Sequence, residues 1–283
     1  MCRFVLYLGN EITLDVLTTR PTNSIIHQSY DSHLGREPLN GDGFGLAWYV
    51  PRVSSEPAQF RSIQPAWNNV NLRHLARVCS SPSILAHVRA ATPGSGVSES
   101  NCHPFTAGRF AFMHNGSVAE FGRLKRRIVD RLSDESFSAL QGTTDSEHLF
   151  AIFRDQYVRC EDGGGAVDMA NALRATIAEI VELMSDVGVR GDSFLNVAVT
   201  DGSEAVVSRY ATGNAQNPSL YVASGTDCTC ESGVSRLTHC GGPPSAIIVA
   251  SEPLNDDPGW EPVPHNHLLL IRADRSIDLS ELG

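Results

Sequence analysis

A chain of 283 residues with 41% hydrophobic content holds enough apolar material for a substantial core, as one large domain or two small ones. Its 22 basic residues against 32 acidic ones give a formal net charge of -10, which provides no general electrostatic footprint for nucleic acid. No stretch approaches the roughly 20 apolar residues that a bilayer span needs. The N-terminus also lacks the charged, apolar and small-residue segments of a signal peptide, so a cytoplasmic protein is expected.

In chain order, Met1-Cys2-Arg3 leads into an apolar strand at residues 4–8. Further strands are predicted at 46–50, 84–88 and 110–113. Three helices follow by apolar periodicity. The first, 119–132, is basic and amphipathic, and its run Arg123-Leu124-Lys125-Arg126-Arg127 reads as a solvated face. The second, 145–157, opens with Thr144-Asp145-Ser146-Glu147, a dense set of N-cap candidates. The third, 166–187, carries Met169, Leu173, Ile177, Ile180 and Leu183 at spacings of three and four and should pack on a sheet. The remaining predicted strands are 195–199, 205–207, 220–223, 246–249 and 268–271. Segments 54–57, 93–98, 162–165 and 224–244 are rich in Pro, Gly and Ser and read as loops. Strands in groups with helices clustered between them favour an α+β protein of stacked, mainly antiparallel sheets over a doubly wound parallel fold. A single domain over residues 2–272 with a C-terminal tail at 273–283 is expected.

Cys2 is the most informative residue. An initiator methionine is trimmed before a small residue, and trimming would leave a thiol and a free α-amine on one residue. That amine has an ordinary pKa of roughly 7.7–8.0 and a thiol one near ~8.5. One residue then carries a nucleophile and a base, the arrangement known for threonine paired with its own amine. The other cysteines are Cys79, Cys102, Cys160, Cys228, Cys230 and Cys240. An odd total with no secretory signal argues against a disulfide framework. Cys228, Cys230, His239 and Cys240 could offer zinc ligands, but C-x-C with an adjacent His-Cys pair misses the usual spacings. A mobile loop is the expectation there, and no metal site.

Five more clusters fall at or near the ends of predicted elements. Asn40-Gly41-Asp42-Gly43-Phe44-Gly45 reads as a tight turn before a strand, and no helix follows to make it a dinucleotide fingerprint. His87-Val88-Arg89-Ala90-Ala91-Thr92 closes an apolar strand, and Arg89 there either snorkels outward or grips an anion. Asn101-Cys102-His103-Pro104-Phe105 reads as a structural turn with Cys102 packed. His114-Asn115-Gly116 contains Asn-Gly, the strongest short hairpin signal, yet the Asn amide and a glycine N–H could equally converge on an oxyanion. Asp145 either caps a helix or faces a substrate ammonium.

Met-Cys at the start, His-Val-Arg-Ala-Ala-Thr, Asn-Cys-His-Pro-Phe, His-Asn-Gly and Thr-Asp-Ser-Glu, in this order, resemble the class II glutamine amidotransferases of the N-terminal-nucleophile (Ntn) hydrolase superfamily. Met1-Cys2-Arg3-Phe4, Thr19-Arg20-Pro21, Trp67-Asn68-Asn69-Val70-Asn71 and Ala250-Ser251-Glu252-Pro253-Leu254 are similar to the family containing the γ-glutamyl-hydrolysing subunit of the fungal glutathione-degradation complex. The resemblance implies a four-layer αββα sandwich. It implies Cys2 as nucleophile with its own amine as base, and Asn115 and Gly116 as the oxyanion pair. Arg89 would hold the substrate α-carboxylate with Thr92 nearby, and Asp145 the α-ammonium. The implied substrate is a small γ-glutamyl compound, glutathione or glutamine, with no cofactor and with a metallopeptidase-like protein partner. Ala90 and Pro93 stand where many of these enzymes have an aromatic residue and a His, which leaves substrate choice open. A glutaminase supplying ammonia to a separate synthase, a γ-glutamyl hydrolase of thiol biosynthesis and an inactive γ-glutamyl-sensing subunit are the alternatives.

Overall fold

The computed structural model describes residues 2–34, 38–91, 96–160, 164–213, 215–231, 234–238 and 243–282. The first half runs β1 (Arg3–Thr13), α1 (Asp15–Thr18), α2 (Ile25–Tyr30), β2 (Phe44–Trp48), β3 (Ala58–Ser62), α3 (Val70–Ala76), β4 (Ser80–Val88), β5 (Phe105–Ala107) and β6 (Phe110–Ser117). Four helices come next: α4 (Phe121–Val129), α5 (Asp134–Ser138), α6 (Asp145–Val158) and α7 (Ala166–Val187). The chain then returns to strands: β7 (Phe194–Thr200), β8 (Ala205–Arg209), β9 (Tyr221–Gly225), β10 (Asp227–Glu231), β11 (Val234–Thr238), β12 (Ala246–Ala250), β13 (Glu261–Pro262), β14 (His267–Ile271) and β15 (Ile277–Glu281).

Two antiparallel sheets carry the fold, in the orders β13-β9-β12-β1-β4-β2-β3 and β15-β14-β8-β7-β6-β5 among the described residues. Strand β1 shows why they stack. Phe4, Leu6 and Leu8 point into a core shared with Met113, Ala198 and Val207 of the second sheet. Val5 and Tyr7 point the other way, into a core with Leu17 of α1, Ile25 and Ile26 of α2 and Leu72 of α3. A strand covered on both faces needs apolar residues at every position, and the uninterrupted Phe4–Leu8 segment of β1 supplies them. On the far side of the second sheet, Leu124 and Ile128 of α4, Phe150 and Phe153 of α6, and Leu173 and Ile180 of α7 cover Phe112 and Val197. The layers are therefore helix, sheet, sheet, helix, and the α+β four-layer αββα reading holds. Among the described residues no helix is long and apolar enough to cross a membrane.

Three local expectations are corrected. The Asn115-Gly116 pair makes no turn, because β6 runs straight through it, registered against β7 from Ala111↔Thr200 to Ser117↔Phe194. Long-range pairing along a whole strand outweighs a two-residue turn preference. Within 224–244, expected as a loop, β10 and β11 form a hairpin of five registered pairs. Its Asp-Cys-Thr-Cys-Glu strand lacks the apolar alternation by which strands are read. The segment set aside as a C-terminal tail carries β15, an edge strand on β14, whose largely exposed Ile-Asp-Leu-Ser-Glu sequence gave no strand signal.

Candidate functional site

The register of β1 against β4 builds the site. Arg3 pairs with Val88, which sets Cys2 opposite the residues that leave β4. The half-buried Cys2 thiol lies 3.5 Å from the Ala90 carbonyl, its hydrogen-bond partner. Burial pushes the thiol pKa up, and the nearby charges of Arg89 and Arg3 offset only part of that rise. The thiol is therefore protonated at neutral pH. Among the described residues no His, Lys or carboxylate side chain hydrogen-bonds to it.

An ion pair buried at 1% exposure on both sides anchors the nucleophile from behind. Arg3 Nε donates to Glu252 Oε1 at 2.7 Å, and another arm of the same guanidinium donates to the Cys2 carbonyl at 2.7 Å. Glu252 also accepts from Ser32 Oγ at 2.8 Å and from the backbone N–H groups of His33 and Leu34 at 3.0 Å. Burial alone would raise the Glu252 pKa, but Arg3 and these donors outweigh it and hold it below the usual carboxylate value.

Cys2 opens on a cavity of about 560 Å³ lined by Arg89, Ala90, His103, His114, Gly116, Asp145 and the first turns of α4. Arg89, buried at the end of β4, is braced by the Asn40–Gly45 cluster. Its N–H donates to Gly43 O at 2.9 Å, its carbonyl accepts from Asp42 N at 2.9 Å, and the Asp42 carboxylate accepts from Ala91 N at 2.8 Å. Gly43 holds φ at +112°, a backbone that side-chain-bearing residues rarely adopt. The guanidinium contacts the carbonyls of Asp42 at 3.4 Å and Gly96 at 3.3 Å. Thr92, the neighbour expected in the same role, lies outside the described residues, as do Pro93, His239 and Cys240.

Asp145 is the first residue of α6, behind the N-cap Thr144, whose hydroxyl accepts from Glu147 N. Its half-buried carboxylate ties two elements together. One oxygen accepts from Val118 N just past β6 at 2.8 Å, and the other from Ser146 N at 2.8 Å. Gly116 lines the cavity at the end of β6, and a Cβ there would fall 1.8 Å from the Phe194 carbonyl oxygen. Only glycine lets β6 lie this close to β7. Asn115, fully buried on the opposite face of β6, is not among the lining residues; its Nδ2 donates to Ser251 Oγ at 3.3 Å, while Oδ1 has no partner. The structure thus gathers Cys2, Arg89, Gly116 and Asp145 around one cavity, with Asn115 next to Gly116 in the sheet.

Sequence reasoning gave His103 only a turn role. The structure puts its ring on the cavity wall, stacked on His87 at 4.2 Å, with both ring nitrogens buried and without hydrogen-bond partners. Burial lowers its pKa well below the ordinary histidine value, with His87 and His114 adding to the effect, and lowers that of His87 to about 3. His114 is also pushed down by burial, against the pull of Asp145. Its Nε2 donates to the Phe194 carbonyl at 2.9 Å, which leaves Nδ1 to accept the Ser146 hydroxyl at 2.9 Å. Two neutral imidazoles, His103 and His114, therefore line the cavity, with a third, His87, stacked behind His103. A His before a proline gave no signal for this, because the stacking partner comes from a distant strand. Asn101, from the same cluster, staples the rim: it accepts from Thr143 N at 2.8 Å and donates to Gly96 O at 2.8 Å.

The family model for class-II glutamine amidotransferases matches residues 19–281. The chain belongs to that family. It is 42% identical to the "Probable glutamine amidotransferase DUG3" of Saccharomyces cerevisiae, over 96% of this chain and 82% of that protein. It is 28% identical to the γ-glutamyl-hercynylcysteine sulfoxide hydrolase of Mycolicibacterium smegmatis, over 96% of each. A glutamine aminotransferase class-II domain protein from Silicibacter pomeroyi shares the fold with a TM-score of 0.69 at 24% identity, each chain covered completely. The PRPP amidotransferase of Bacillus subtilis does so at 0.62 and 14% identity, over all of this chain and 49% of that one. This family member is a hydrolytic enzyme.

Proposed function

We propose that this enzyme hydrolyses the γ-glutamyl amide bond of glutathione or a related γ-glutamyl compound through a thioester on Cys2. The observation that carries the reading is a cavity-facing thiol with no side-chain base in hydrogen-bond reach among the described residues, in a setting whose burial raises the thiol pKa. Such a thiol needs a base, and once Met1 is removed the α-amine of Cys2 itself supplies one.

In this reading Arg89 holds the substrate α-carboxylate and Asp145 its α-ammonium, so opposite charges fix both ends of the zwitterion and present the γ-carbonyl to the thiol. Sulfur attacks the γ-carbon, and the thiol proton passes to the α-amine. The oxyanion forms against the Gly116 N–H on the cavity wall, and the neighbouring Asn115 amide, which Ser251 Oγ holds in this structure, is the second candidate donor. The C–N bond then breaks, with the amine returning the proton to the leaving nitrogen, and water hydrolyses the thioester by the same route. Positioning of this kind lowers a barrier by about 7–11 kcal/mol, and one oxyanion donor contributes about 2.7–4. The name of the mycobacterial relative, a γ-glutamyl hydrolase, supports the reaction class, and the likeness to the yeast glutamine amidotransferase supports a glutamine-like amide as the bond cleaved; glutathione and a metallopeptidase-like partner rest on the resemblance of the sequence motifs alone.

The test is intact mass of the purified protein before and after treatment with an electrophile that mimics glutamine. Loss of Met1 with a single adduct on Cys2 is expected, and Cys2→Ala should abolish both adduct and turnover while leaving the fold intact. Undiminished turnover by Cys2→Ala would overturn the mechanism.

A further inference from the structure

The cavity carries one charge that a glutamyl group does not use. Given the reading above, Arg89 and Asp145 answer the two charges of the glutamyl zwitterion. Glu120, on the same wall, is already engaged: Arg123 pairs with it and the Arg190 N–H donates to it at 3.3 Å. Lys125 is different. It lines the cavity half-buried, and among the described residues it makes no hydrogen bond and no ion pair. It is also the only lysine in the chain; every other basic residue is one of 21 arginines.

Helix periodicity explains its placement. Phe121 and Lys125 are four apart in α4 and share the face turned to the cavity, whereas Leu124 and Ile128 enter the core. Arg123 and Arg126 point to solvent, paired with Glu120 and Asp130. The solvated-face reading of this basic run therefore fits the arginines but not the lysine. A mobile ammonium on a four-carbon stem beside an aromatic ring suits a carboxylate whose position varies with the residue before it.

The geometry points to Lys125 as the subsite for the leaving group, taking the free C-terminal carboxylate of a γ-glutamyl peptide. The cavity of about 560 Å³ exceeds what a glutamyl group alone fills, and a two-residue leaving group extends its carboxylate roughly 7 Å beyond the scissile nitrogen. The ammonia released from glutamine has no such group, so Lys125 favours peptides over free glutamine. Together, Arg89, Asp145 and Lys125 match a substrate with two carboxylates and one ammonium.

The experiment uses Cys2→Ala protein, which binds without turnover. Calorimetry measures Kd for γ-glutamyl-alanyl-glycine, for its C-terminal amide and for glutamine, with Lys125 intact and with Lys125→Met. The free acid should bind about tenfold more tightly than the amide, as a charge-assisted contact implies. Lys125→Met should erase that gap, leave the amide and glutamine unaffected, and Lys125→Arg should restore part of it. Equal affinity for acid and amide, or a gap that survives Lys125→Met, overturns the subsite while the glutamyl reading stands. Failure of all three ligands to bind overturns the glutamyl reading itself, and the subsite with it.

Discussion

Replacing Gly116 with alanine tests the oxyanion assignment and the close approach of β6 to β7 in one protein. The new Cβ would lie 1.8 Å from Phe194 O, 2.6 Å from its carbonyl carbon and 2.7 Å from His114 Nε2. Side-chain carbons are essentially never closer than 3.0 Å to such atoms, so the strand ends must part by more than 1 Å. Overpacking of this kind costs about 1–3 kcal/mol, and each ladder hydrogen bond lost adds about 0.5–1.5. A total of about 3–5 kcal/mol should lower Tm by roughly 10 °C. The same shift carries the Gly116 N–H away from the developing oxyanion, for a loss of about 10²–10³ in kcat with little change in KM. Gly122→Ala is the control. It too lines the cavity, but its Cβ meets nothing within 4 Å, and alanine in α4 should be neutral or gain about 0.5–1 kcal/mol. Thermal melts and steady-state kinetics on one γ-glutamyl substrate decide the matter. A Gly116→Ala protein that melts early but turns over at the wild-type rate per folded molecule refutes the oxyanion role. One that also melts normally refutes the packing argument.

Glu252→Ala removes the carboxylate from a guanidinium that is 1% exposed, which should destabilise the protein by about 3–5 kcal/mol in urea titrations. Since Arg3 also holds the Cys2 carbonyl, kcat should fall in the folded fraction, and a variant of wild-type stability would contradict the anchor. The buried histidines set a pH window. The folded pKa of His87 lies near 3 against an ordinary value of 6.5, because burial disfavours its charged form. The unfolded chain then binds more protons than the folded one between those values. Stability is therefore full above pH 6.5 and declines as pH falls towards 3, by up to about 5 kcal/mol for His87 alone. The urea midpoint should drop from pH 6.5 to 4.5 and stay level from 6.5 to 8, and His87→Gln should flatten the slope; a level midpoint in wild type below 6.5 counts against it.

Stacked antiparallel sheets with covering helices, and the identity of the charged groups, were legible in the residues themselves, whereas the four-layer αββα order came from the family resemblance. The apolar run of β1 is readable because both its faces are covered, and α7 because its stripe recurs every three to four residues. Both signals are local. Family motifs also pointed to Cys2, Arg89, Gly116 and Asp145, which the structure gathers around one cavity. Tertiary structure alone decided the rest. That Asn115-Gly116 continues a strand follows from seven register pairs with residues about eighty positions away. That His103 faces the cavity follows from its stacking on His87, and that Lys125 faces inward while Arg126 faces water follows from how α4 is rolled onto the second sheet. Residue type and spacing state what chemistry a chain carries. Which groups meet depends on strand register and helix rotation, which are settled by contacts between segments that the sequence keeps far apart.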